Sequence, residues 1–137
     1  MRTLTTGLVL TIASLLFCSQ ALSGEIISDP EKLAQIFTNK TAKGTHLKKD
    51  FSYDVFFAAD GKVERVTEDG DKHSGTWRIS DDGKHCVHFS NKSSENCQII
   101  KAGNRDDVYF RMKQKGDRQI KLMRLKNFRD GNELPKE

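Results

Sequence analysis

The sequence predicts a mainly β protein: a small antiparallel barrel or sandwich of about seven strands, preceded by one short amphipathic helix. Three observations predict it. Short segments alternate apolar and polar side chains with a period of two, most clearly through Phe51, Tyr53, Val55 and Phe57. Five loops carry glycine, and four of those glycines adjoin aspartate, so turn chemistry punctuates the chain throughout. One stretch alone, Leu33, Ile36 and Phe37, has the i, i+3, i+4 spacing of a helix stripe.

The elements follow in order. Arg2, the apolar run over residues 8–17 and the small residues Ala21 and Ser23 make the basic start, apolar middle and cleavage site of a secretory signal peptide over residues 1–23. The apolar run is shorter than the ~20 residues a membrane span needs. Phe17 stands before Cys18 where a lipoprotein would carry a small residue, so acylation is not expected. Asp29-Pro30-Glu31 then starts the helix: a capping side chain, a proline suited to the first turn, and an acid at the positive end of the dipole. Thr38-Asn39-Lys40 ends it and Gly44 bars continuation. Strands are predicted around 51–57, 63–66, 75–79, 86–90, 97–100, 108–112 and 119–125. Asp60-Gly61 suits a type I′ hairpin turn. The polar tail from about residue 130 is expected to fray.

Composition bounds the class. The chain has 137 residues, and those beyond residue 23 suffice for a single β domain, 24–137. Lys and Arg number 23 against 19 Asp and Glu; the leader holds Arg2 and no acid, so net charge falls from +4 to +3 without it. Charges of both signs are interleaved, as on a solvated surface. Cys86 and Cys97 enclose a ten-residue turn-rich stretch. In an oxidising compartment they have one intramolecular pairing open to them, and closing that loop stabilises by roughly 3 kcal/mol. Localisation is expected to be periplasmic or secreted.

The run Gly44-Thr45, Tyr53, Asp60-Gly61, Gly75-Thr76-Trp77-Arg78-Ile79, Cys86, Cys97 and Gly131-Asn132 resembles a family of small exported bacterial proteins built on a domain without assigned activity. The resemblance covers most of the chain after residue 23. It implies a bacterial envelope protein of small β architecture and brings no catalytic residues. Gly75-Thr76-Trp77 also resembles the Gly-x-Trp of lipocalin-like barrels, although it sits mid-chain here. The Trp followed by a single disulfide is similar to small periplasmic protease-inhibitor barrels.

The candidate sites are few. His85 and His88 fall on opposite faces of a strand and cannot share an ion without a bulge, so no metal is expected, and exposed strand histidines are the simpler reading. No nucleophile motif or phosphate loop is present, so neither catalytic residue nor cofactor is assigned and the protein is expected not to be an enzyme. Trp77, Tyr53, Phe57 and Ile79 are expected to form the core or line a cavity. Lys113, Lys115, Arg118, Lys121, Arg124 and Lys126 form a basic face suited to an anionic partner, or protect a sheet edge. Export disfavours nucleic acid, and no transmembrane segment is expected after cleavage. The reading is a non-enzymatic extracytoplasmic binding domain, whose partner would be an envelope protein, an acidic polymer or an apolar small molecule. The alternatives are an inhibitor of an exogenous protease or lysozyme, plugging its target with a loop or with residues 24–28, and a small-molecule carrier with a hollow barrel.

Overall fold

The computed structural model describes residues 24–136; the segment read as a signal peptide lies outside the described residues. The elements are β1 (Ile26–Ile27), α1 (Pro30–Phe37), β2 (Lys40–His46), β3 (Phe51–Phe57), β4 (Lys62–Thr67), β5 (Lys72–Ile79), β6 (His85–Phe89), β7 (Asn96–Ala102), β8 (Tyr109–Lys115) and β9 (Arg118–Asp130). Strands pair antiparallel in the order β7-β6-β5-β4-β3-β2-β9-β8, and β8 returns to β7. The sheet is therefore a closed eight-stranded barrel, not a sandwich. Closure removes the exposed edges that an open sheet would present.

The sequence-based count of about seven strands is corrected by β2 and the two-residue β1. Residues 40–46 read KTAKGTH, and the inward positions along its middle are small: Ala42 is fully buried and Gly44 has no side chain. Such a strand has no apolar alternation to betray it. β1 pairs Ile26 with Lys101 and Ile27 with Ile100, while those two residues pair on their other side with Phe110 and Arg111 of β8. β1 thus continues the β6 side of β7 beyond Gln98, where the pairing with β6 ends.

Three hairpins share one turn, and it differs from the expected type I′. Gly61 N donates to Ala58 O, Gly70 N to Thr67 O and Gly83 N to Ser80 O, and the three glycines have φ of +87°, +84° and +75°. The preceding aspartates do not have positive φ. This is a type I turn closed by a left-handed glycine, the three-residue hairpin loop. β9 runs to Asp130, Gly131 N donates to Asn39 O, and the Thr41 hydroxyl joins Gly131 O at 2.7 Å and Glu133 N at 2.9 Å. Thr41 points out of the barrel and is nonetheless fully buried beneath this segment.

Helix α1 is capped as the sequence predicts, with Glu31 N donating to Asp29 Oδ1 at 3.0 Å. Asn39, at φ +57°, then turns the chain directly into β2. The helix plugs one barrel end with Leu33 and Phe37, both fully buried. Burial of each contributes about 1.5–3 kcal/mol. The Phe37 ring lies 4.2 Å from the His85 ring, 5.4 Å from Phe57 and 5.8 Å from Phe128, so strands from all around the barrel converge on it.

Candidate functional site

The barrel interior comes first, because the sequence reading left open whether it is hollow. Tyr53, Phe57 and Trp77 are buried core, with Ile79 packed at its margin. Trp77 donates its indole N–H to Ala58 O at 2.8 Å, so its polar edge is satisfied. The Tyr53 ring lies over Gly44 of the neighbouring strand, where a Cβ would come within 2.3 Å of it. The space left among Tyr53, Arg65, His85, Phe89, Arg111 and Met123 amounts to about 20 Å³. The interior is filled by side chains, as eight strands permit.

Polar side chains stand among those that fill it, and three of them, Arg65, His85 and Arg111, line the remaining space. Arg111 is 6% exposed; its guanidinium donates to His85 O and Asn96 O at 3.3 Å and approaches Met123 Sδ at 3.7 Å. Burial draws its pKa down to about 10, so it stays charged at neutral pH. The Arg65 guanidinium sits 4.3 Å from the Phe89 ring centre and 5.3 Å from that of Tyr53. His85 is fully buried, which corrects its reading as an exposed strand histidine. Burial, then the charge of Arg111, holds its pKa well below the usual value, so the ring is neutral. His88 faces out, as expected from its spacing, with Nε2 at 3.0 Å from Lys92 O. His46 closes β2 at the end opposite the helix, and burial followed by Lys49 lowers its pKa.

Cys86 and Cys97 are directly paired across β6 and β7 and form the disulfide on the outer face. Glu95 lies beside them, but the two sulfurs are bonded to each other and offer no thiolate to a metal. Arg78 grips Glu95 through Nε and Nη2 at 3.0 and 2.7 Å, fixing the same loop. That pairing holds the Glu95 carboxyl below the usual carboxylate range.

The outer face of β7, β8 and β9 carries the second feature. The register sets Lys101 beside Phe110 and Phe110 beside Arg124, one outward row across three strands. With Arg105, Lys121 and Lys126 they line a groove of about 510 Å³. Lys121 Nζ stands 4.3 Å above the Phe110 ring centre. Arg124 Nε is buried without a hydrogen-bond partner among the described residues. No acid lines this groove among the described residues; Asp106, Asp107 and Glu25 line an adjoining cleft, and Arg105 lines both. The structure thus gathers Lys121, Arg124 and Lys126 from the predicted basic face and adds Lys101 and Arg105. Lys113, Lys115 and Arg118 lie further out along the β8–β9 hairpin and do not join it. Lys101 was not legible beforehand, because only the β7–β8 register brings it alongside.

Residues 24–28 are not a free arm. Gly24 N donates to Ala102 O, and Ala102 N to Glu25 O, tying the segment to the wall. Among the described residues no helix is long and apolar enough to cross a membrane. A closed antiparallel barrel, stapled by the Cys86–Cys97 disulfide and bearing a cationic groove, is the class of protein that fold and site define. No family model and no curated protein matches the chain.

Proposed function

We propose that this is a non-enzymatic extracytoplasmic binding domain that recognises an acidic polymer through the β7–β9 groove. The observation that carries the reading is the cluster of five cations around Phe110, with no acid among the described residues that line the groove. Like charges gathered on one rigid wall repel one another and raise a local positive potential, which a polyanion relieves. Phe110 adds an apolar platform against which a sugar ring or polymer backbone can lie. The filled interior favours recognition at the surface over carriage of an apolar molecule within. The disulfide fits a periplasmic or secreted location, where acidic envelope polymers are at hand. The resemblance to small exported bacterial proteins supports the same setting.

The test is binding of residues 24–137 to a sulfated polysaccharide, with neutral dextran as control. Binding is expected to fall steeply with salt and to weaken at least about tenfold, 1.4 kcal/mol, in Lys121→Glu/Arg124→Glu. Equal affinity for dextran, or an unchanged affinity in the double variant, overturns the reading.

A further inference from the structure

We propose a second, internal binding site: a halide-sized anion seated between Arg65 and Arg111 inside the barrel. It stands apart from the groove, on the other face of the wall. Two guanidinium groups line the same small space, and among the described residues no carboxylate lines it. Arg111 spends its charge on two carbonyls and a thioether, and Arg65 on two aromatic faces. Among the described residues, Arg65 Nε, Arg111 Nε and both ring nitrogens of His85 are buried with no hydrogen-bond partner. Tyr53 Oη–H, also at this space, donates to the weak acceptor Met123 Sδ at 3.0 Å.

Such an arrangement is costly for the protein alone. A buried cation is tolerated when an opposite charge meets it, and a buried donor when an acceptor does. One small anion answers both demands, since it neutralises the pair and accepts from several N–H and O–H groups together. The size of the space decides which anion. A volume of about 20 Å³ accommodates a single water-sized particle. Chloride or bromide, a few tenths of an ångström larger in radius than water, fits once the lining side chains give slightly, while a fatty acid, a sugar phosphate or any apolar chain is excluded. At the end of the barrel opposite α1, Lys48, Lys49 and Lys113 line a cleft with His46, which concentrates anions there.

The test follows unfolding of residues 24–137 at fixed ionic strength and pH 7 while sodium methanesulfonate is exchanged for sodium bromide. The expected result is a midpoint that rises and saturates with bromide, as a single site requires. Arg111→Met should abolish the bromide-specific rise. Lys121→Glu/Arg124→Glu, which alters only the outer groove, should retain it. Should Arg111→Met fail to fold, Arg65→Met serves, and anomalous scattering from a bromide-grown crystal of the unaltered chain locates the ion directly. A peak between the two guanidinium groups supports the site. Identical midpoints in the two salts, a rise that survives Arg111→Met or Arg65→Met, or bromide found only on the outer surface, each overturn it.

Discussion

Gly44→Ala tests the packing logic of the barrel most directly. An alanine Cβ at this position would lie 2.3 Å from Cε2 and Cζ of Tyr53 and 2.7 Å from its hydroxyl oxygen. Tyr53 is 5% exposed and its ring is hemmed in by Phe51, Met123 and the Arg65 guanidinium, so it has little room to withdraw. Overpacking of this kind costs about 1–3 kcal/mol. Gly44 does not hold a left-handed φ, so the clash is the whole of the penalty. With the ring removed the sign should reverse: in a Tyr53→Ala background Gly44→Ala should stabilise by about 0.5–1 kcal/mol, because alanine loses less backbone freedom than glycine in a strand. Tyr53→Ala alone should cost about 3–5 kcal/mol as a cavity. The assay is urea unfolding of the four members of the cycle. Opposite signs of the Gly44→Ala effect in the two backgrounds, with a coupling of at least about 1 kcal/mol, are expected. The same sign in both, or additivity within about 0.5 kcal/mol, refutes the account of why β2 carries a glycine.

Two further outcomes follow from the core and the staple. His85 is neutral when folded and its pKa is held well below the usual 6.5, so below pH 6.5 the unfolded chain takes up a proton that the folded chain refuses. Stability should therefore fall as pH drops, by at most about 1.4 kcal/mol between pH 7.5 and 5.5 in halide-free buffer. His85→Leu should remove most of that slope; parallel pH curves for the two proteins would sink the assignment, and the lowered pKa of His46 acts equally on both. Cys86→Ser/Cys97→Ser should lower the unfolding free energy by roughly 3 kcal/mol through release of the ten-residue loop, while a loss under about 1 kcal/mol would show that the Arg78–Glu95 pair holds the loop unaided.

The sequence by itself determined the local chemistry. The Asp29-Pro30 helix start, the alternating run of β3, the turn positions at Gly61, Gly70 and Gly83, and the Cys86–Cys97 pairing are all set by residues close to one another in the chain or by elimination. Such signals depend on backbone sterics and period, which need no knowledge of a neighbour. The turn type was not written there, although one x-Asp-Gly pattern recurs in three hairpins: positive φ at the glycine and not at the aspartate distinguishes it from the I′ form, and composition does not show that. Tertiary structure decided the rest. β2 is a strand because Phe57 through Phe51 and Asp130 through Met123 flank it, while its own inward residues are too small to announce a buried face. Arg65 and Arg111 read as ordinary surface cations, yet closure of the sheet turns the faces they share with Val63 and Tyr109 inward. Lys101, Phe110 and Arg124 become neighbours through register across β7, β8 and β9, and a one-residue slip in any of those pairings would have turned the row to the other face. Strand register is a property of pairs of segments far apart in sequence, and it is what places two charges in the core and five around one groove.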